Sequence, residues 1–475
     1  MTTRAVDVAI IGAGTAGLSA RREAAKAGIR VVLIESGPYG TTCARIGCMP
    51  SKLFIAAAEM AHALMAAGEF GINITNGARV DGRAVMRRVQ RERDRFVRGV
   101  LDSVKEIPDN QLVRGYARFV GRNTLEIDDG TRIEARAIVI ATGSYPSIPS
   151  SLQPVREQVL VSDDLFEWQD LPASIALIGA GSVGLELGQA LHRLGVRTCL
   201  FSQGDSIGPL HDPLVNEVAK TIIAHELPLL LNAETEFEED GNRVRVRWRS
   251  NGGEGEESFQ RILSATGRPP NLERLDLERT GLEFDECGSP RFDPQTMQCG
   301  DTPIFIAGDV NGYRPLLHEA ADEGRIAGIN AASWPTVQAK TRRTPLAIVF
   351  TDPQLAVVGT GFPGLDESVA IGSVDYRDQG RARVIGKNAG LVRIYARRES
   401  GTLVGAEMVG PRVEHLAHLL AWAIQRGLTA ADILDLPFYH PTVEEGIRTA
   451  LRALCSELKT MPPERPADLE CGPGS

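Results

Sequence analysis

The chain has 475 residues, 43% of them hydrophobic and 24% charged, with a net charge of −9. That length exceeds what one core can hold and predicts three or four globular domains. The acidic balance, without a dense basic stripe, argues against nucleic acid as a partner, and no uninterrupted apolar run approaches the ~18 residues of a membrane span. The opening Met1-Thr2-Thr3-Arg4-Ala5-Val6-Asp7 lacks a charged leader with a long apolar core, so the expected location is cytoplasmic.

The first element, Val6 to Ile11, is a short apolar run of the kind that forms a buried parallel strand. It ends in Gly12-Ala13-Gly14-Thr15-Ala16-Gly17, followed by a helical stretch, Leu18 to Ala27, and a second strand, Arg30 to Ile34, closing on Glu35. In this order each glycine has a physical reason to be there. Gly12 makes the tight turn, Gly14 lets backbone approach a pyrophosphate, and Gly17 packs helix on strand. Unpaired N–H groups of the helix start face the phosphates, and Glu35 is placed to accept from ribose hydroxyls.

Next comes Gly40-Thr41-Thr42-Cys43-Ala44-Arg45-Ile46-Gly47-Cys48-Met49-Pro50-Ser51-Lys52. Cysteines five apart in a regular helix have Cα atoms roughly 8–9 Å apart, beyond the ~7 Å limit for a disulfide. Either the pair never bridges, as two structural cysteines would not, or the turn is distorted and the bond strained and reducible. Gly47 supplies freedom for a distortion, and Pro50 suits the first turn of a helix expected over Leu53 to Ala67. A helix N-terminus lowers thiol pKa and favours exchange. The other cysteines (Cys199, Cys287, Cys299, Cys455, Cys471) are scattered, unlike a secreted disulfide framework. A polar helix is expected from Met86 to Val104, with the arginines between Arg87 and Arg98 on its solvated face.

The dinucleotide pattern then repeats. A strand from Ser174 to Ile178 leads into Gly179-Ala180-Gly181-Ser182-Val183-Gly184, a helix through Leu194 and a strand from Val196 to Phe201. Two such units imply two dinucleotides. At the end of the second strand an acid would favour NAD and an arginine NADP, but Ser202-Gln203 offers neither. Residues from 345 onward predict short strands (Ala347 to Phe350, Gly390 to Tyr395, Leu403 to Val409), a helix from Val413 to Arg426 and a closing helix after Pro441. Thiol exchange needs a proton acceptor, for which histidine is the natural residue. Of eight histidines, His440 is distinctive, because Glu445 lies five residues on and could orient its ring. His62, His192, His211, His225, His415 and His418 read as surface or packing residues.

The cysteine stretch resembles the redox-active signature of the class I pyridine nucleotide–disulfide oxidoreductases, and the likeness covers essentially the whole chain. Ala141-Thr142-Gly143-Ser144 and Ala265-Thr266-Gly267-Arg268 look like the family's two A-T-G motifs, and Ile304 to Asp309 like its second flavin motif, whose aspartate binds the ribityl chain. Gly115 matches the position near the adenine. Ala44-Arg45 departs from the usual apolar-Asn pair, and Thr41 from a glycine. The resemblance implies an α/β fold with two Rossmann-like dinucleotide-binding domains and a C-terminal α+β dimerisation domain. The expected bounds are 1–150 and 273–344 for the FAD-binding and central parts, 151–272 for the NAD(P) domain, 345–460 for the interface domain and 461–475 for a flexible tail.

It also implies FAD, held by Gly12, Gly14, Ala16, Gly17, Glu35, Thr42, Lys52, Gly115, Thr142, Gly143 and Asp309. NAD, with NADP not excluded, would lie against Gly179, Gly181, Val183, Gly184, Ser202 and Gly267. Glu186, which by itself reads as a solvated helix residue, would pair with Lys52 near the flavin. His440 and Glu445 would serve the Cys43–Cys48 pair of the other subunit, making the protein a homodimer. Pro315 to Gly324, with His318, resembles the dihydrolipoamide dehydrogenase version of that helix start. The expected activity is therefore oxidation of dihydrolipoamide carried on a lipoyl domain of another chain. An NADP-linked disulfide reductase and a non-catalytic flavoprotein subunit or redox sensor are the alternatives, and no metal is expected.

Overall fold

The computed structural model describes residues 3–74 and 79–459. The expected tail, with Cys471, lies outside the described residues. The chain is α/β, with a seven-stranded mixed sheet and a five-stranded parallel sheet that each carry a glycine loop, and an antiparallel sheet near the C-terminus. The first sheet is built from β1 (Thr3–Ile11) and β2 (Val31–Glu35), joined by α1 (Thr15–Ala25). β1 is buried at Val6, Val8, Ala9, Ile10 and Ile11, so it needs cover on both faces. Its parallel neighbours are β2 on one side and Arg132–Ile140 on the other. Leu112–Arg114 extends the sheet beyond β2, and Ile304–Ile306 joins Arg132–Ile140 in parallel. Chain order reverses between β1 and Arg132–Ile140, and ligands of such sheets bind at the carboxyl edge there. Gly12, Glu35, Gly115, Ala141 and Gly308 all follow directly on, or close, the carboxyl ends of these strands.

The second sheet repeats this plan in the order Leu229–Leu230, Arg197–Phe201, Ser174–Ile178, Arg261–Ser264, Val159–Val161, all parallel. A three-stranded antiparallel meander (Glu234–Asp240, Arg243–Ser250, Gly253–Phe259) interrupts it. The C-terminal sheet has five antiparallel strands rather than the three expected from sequence. Gln354–Gly359 and Val369–Asp375 lack a clean alternating pattern because the sheet buries parts of both faces, under the helices Val413–Gln425 and Glu445–Glu457.

The redox segment folds as a short α2 (Thr42–Arg45), a break at Ile46 and Gly47, and α3 (Cys48–Met65). The helix expected from Leu53 thus starts five residues earlier, and Pro50 sits inside its first turn, where a missing N–H costs nothing. α3 packs on α4 (Gly82–Lys105) and on the helix Ser182–Arg193 through Phe54, Ile55, Ala58 and Leu187. The stretch Thr42–Phe70 is long and apolar enough to cross a membrane by length and composition, an 18-residue window of it having a mean hydropathy of 1.3. Averaging over its alanines and methionines outweighs Lys52 and Glu59, which interrupt any pure apolar run.

Candidate functional site

Both glycine loops have the shape a pyrophosphate requires. A Cβ on Gly12, which has φ +106°, would lie 2.3 Å from the Ala141 carbonyl oxygen, and one on Gly179 would lie 2.4 Å from that of Ala265. Each loop therefore presses on the A-T-G segment at the next strand end and tolerates only glycine. A Cβ on Gly14 or Gly181, by contrast, would meet nothing within 4 Å. Both are helix N-caps whose helices have no side-chain cap, so their first N–H groups stay available to an anion. The residues present therefore fit two dinucleotides. Glu35 braces the first loop, its carboxylate accepting from Ala13 N–H and Gly37 N–H, both at 2.7 Å, with lone pairs to spare for ribose hydroxyls. Gly115 has φ +131°, and a Cβ there would run into Asp128. Ala16 is buried where α1 meets the helix Leu317–Ser333, and Thr142 Oγ1 donates to the Asn271 carbonyl at 2.7 Å. Val183, Gly143 and Gly267 lie at the open rims of the loops. Ser202 closes the second strand of the second unit, its N–H donating to Leu230 O at 2.9 Å.

The cysteines stand as a dithiol on either side of the helix break, Cys48 being the first residue of α3. Thr41 holds the turn open: its φ is 58°, its hydroxyl caps Ala44 N–H at 3.3 Å, and a β-branched residue there is strained. The two sulfurs are electrically unlike. The Cys43 thiol donates to Cys48, and with the nearby Lys52 charge this brings Cys48 down to about 7. The same hydrogen bond, with burial, holds Cys43 protonated far above the ordinary thiol range.

Lys52 Nζ reaches Glu186 Oε2 at 2.6 Å, and Glu186 Oε1 accepts from Phe350 N–H at 2.9 Å. Glu186 is only 7% exposed, which corrects its reading as a solvated residue: α3 and the strap before Gln354 enclose that face of its helix. Its neighbours left no mark in the sequence. Gln189 exchanges two 2.8 Å hydrogen bonds with the Asp352 backbone, and Arg193 pairs with Glu226 and Asp352. Their spacing of three and four along one helix was the available signal, but no partner segment was visible in the chain.

His440 Nδ1 lies 3.1 Å and 3.2 Å from the two oxygens of Glu445, which is 1% exposed and also accepts from Thr442 N–H. The imidazole itself is 61% exposed. Among the described residues no hydrogen bond or ion pair joins this pair to Cys43 or Cys48 of the same chain. The structure thus assembles Cys43, Cys48, Lys52 and Glu186 in one place and His440 with Glu445 in another.

Comparison with known proteins matches this architecture. The family model for pyridine nucleotide-disulphide oxidoreductases covers residues 6–324, and that for their dimerisation domain covers residues 346–451. A dihydrolipoyl dehydrogenase of Chlamydia muridarum is 31% identical over 97% of this chain and 99% of its own length. A mercuric reductase of Staphylococcus aureus is 28% identical over 94% of this chain and 81% of its own. Among solved structures, LpdA of Mycobacterium tuberculosis superposes with a TM-score of 0.79 at 26% identity, covering 95% of this chain and 99% of that one. A flavoprotein disulfide reductase of Escherichia coli, RclA, shares the fold with a TM-score of 0.80 at 22% identity, covering 95% and 99% of the two chains.

Proposed function

The chain belongs to the pyridine nucleotide–disulphide oxidoreductases, and within that family we propose that it is a cytoplasmic homodimer that oxidises protein-bound dihydrolipoamide to lipoamide and reduces NAD. The observation that carries the reading is the asymmetry of the cysteine pair, one thiol held protonated and the other near ionisation at neutral pH. Supporting the substrate is the run of dihydrolipoyl dehydrogenases among the relatives, at 31%, 32% and 31% identity. Supporting the dimer are the dimerisation-domain match and the exposed apolar side chains Met65, Phe70 and Trp422.

In this proposal the pair begins as a disulfide. A substrate thiol gives its proton to His440 of the partner subunit and attacks Cys43 Sγ; the Cys43–Cys48 bond breaks and Cys48 leaves as a thiolate. The second substrate thiol then attacks the sulfur joined to Cys43. The lipoyl ring closes and Cys43 departs with a proton, so two electrons have passed to the pair. Glu445 holds His440 by Nδ1 and fixes the orientation of its ring. Lys52 and the first turn of α3 stabilise the Cys48 thiolate. The flavin, when bound, supplies the two-electron relay from thiols to nicotinamide.

Replacing Cys48 with serine should abolish lipoamide turnover while leaving transfer from NADH to artificial acceptors. Lipoamide turnover that survived Cys48→Ser would refute the scheme. A second reading, an NADP-linked disulfide reductase, is favoured by Ser202, which leaves no carboxylate to repel a 2′-phosphate. Comparing NADH with NADPH against lipoamide and oxidised glutathione separates the two.

A further inference from the structure

Asp309 sits just beyond the carboxyl end of Ile304–Ile306, and its carboxylate is reached by a side-chain relay from the second unit. Ser144 Oγ donates to Asp309 Oδ2 at 2.9 Å. Arg268 Nε donates to Ser144 Oγ at 3.2 Å, its Nη2 donates to the Ser144 carbonyl at 3.2 Å, and its Nη1 donates to Asp163 Oδ1 at 2.8 Å. Ser144 and Arg268 each follow an A-T-G segment. Those segments are zipped together by backbone bonds, Tyr145 N–H to Pro269 O, Ser147 N–H to Gly267 O and Asn271 N–H to Gly143 O.

The chemistry gives the relay a direction. A guanidinium only donates, so the Ser144 oxygen receives from Arg268 and must spend its single proton elsewhere. Asp309 Oδ2 is the acceptor in reach. Oδ2 then keeps one lone pair, whereas Oδ1, which no donor among the described residues engages, keeps both and is the freer oxygen to face a ligand hydroxyl. A free serine rotor would instead cost part of each encounter in lost orientation.

We propose that Ser144 and Arg268 are positioning residues for the polyol chain of the flavin, Arg268 acting only through the Ser144 hydroxyl. This rests on the reading that the chain holds FAD at Asp309. It gives the crossing between the two dinucleotide units a role beyond linkage: a cation anchored on Asp163, which is in the sequence stretch leading into the second unit, orients an acceptor in the first.

The test measures the rate at which purified holoprotein releases its flavin on dilution, followed by recovery of free-flavin fluorescence. Ser144→Ala and Arg268→Met should each speed release about ten- to a hundredfold, the effect of one hydrogen bond to a charged acceptor. The double variant should release no faster than Ser144→Ala alone. Ser144→Thr, which keeps the hydroxyl, should release at the wild-type rate. Unchanged release in both single variants, or effects that multiply in the double, would overturn the proposal. Should Arg268→Met fail to fold, the contrast between Ser144→Ala and Ser144→Thr decides alone, with circular dichroism and Tm confirming the fold of each. A wild-type protein that carries no flavin overturns the functional reading itself, an outcome distinct from variants that hold flavin as firmly as wild type.

Discussion

Replacing Lys52 with methionine should raise the pH at which the Cys48 thiol ionises. Cys48 is brought to about 7 by the donating Cys43 thiol first and then by the Lys52 charge, while Glu186 pulls the other way. Because Lys52 is tied to Glu186 at 2.6 Å, its charge is partly offset, and Cys48 is open to solvent screening. The expected shift is therefore about one unit upward, a tenfold change in the ionisation equilibrium. At pH 7 the thiolate would fall from about half to about a tenth of the molecules. The sign follows from a folded value below the unfolded one: the thiolate, and the stability it contributes, are present above the unfolded value near 9 and are lost as pH falls through about 7. The assay is the rate of iodoacetamide alkylation of the reduced protein against pH, with the modified peptide identified by mass. Glu186→Gln serves as the control of sign, since removing the opposing charge should move the midpoint down. An unchanged midpoint in Lys52→Met, or shifts of the same sign in both variants, would refute the electrostatic account.

Four further outcomes are expected. Gly14→Ala should fold normally yet fail to retain flavin, because its Cβ projects into the open cradle, whereas Gly12→Ala should destabilise the fold through its φ of +106° and the Ala141 carbonyl; flavin absorbance and Tm separate the two. His440→Ala should lower turnover by about 10²- to 10⁴-fold with little change in Tm, since the ring is largely exposed. Glu445→Leu should cost about 3–5 kcal/mol in urea unfolding, because it strands buried Arg448 and the Thr442 N–H. Thr41→Gly should stabilise by about 1 kcal/mol in the same assay, relieving the φ of 58° for the small loss of the hydroxyl cap.

The elements whose signals are local could be read from the chain. Strand, glycine loop, helix and second strand lie in continuous sequence in each unit, so Gly12 to Glu35 and Gly179 to Ser202 appeared where the periodicity put them. Helical geometry alone left two possibilities for Cys43 and Cys48, a pair that never bridges or a distorted turn, because five residues of regular helix cannot bring two sulfurs together; the break at Ile46 and Gly47 is the second. What the chain hid were contacts between distant segments. Glu186 reads as a surface residue until α3 covers it, and the burial of its carboxylate depends on Lys52 and Phe350, 134 and 164 positions away. The start of α3 was misplaced because Pro50 suggested a later boundary, although the helix dipole begins at the reactive sulfur itself.

The same separation explains why the site is distributed as it is. A thiolate near neutrality needs a cation close by, but a cation so placed must itself be restrained, or it would pair with the sulfur and block it. The fold meets both needs by taking Lys52 from the helix that carries Cys48 and its restraint from another unit. Glu186 is in turn fixed by the Phe350 N–H of the strap that joins the first two strands of the C-terminal sheet. Gln189 and Arg193, on the same helix, grip Asp352 two residues later. Arg193→Met would take from the half-buried Glu226 and Asp352 carboxylates the guanidinium they share, leaving Asp352 with Lys387 as its cation and loosening the strap and with it the Phe350 bond to Glu186. The Cys48 midpoint should then move although Arg193 does not touch either sulfur. An Arg193→Met protein with a lowered Tm but the wild-type alkylation profile would show that the strap stabilises the fold without tuning the thiol.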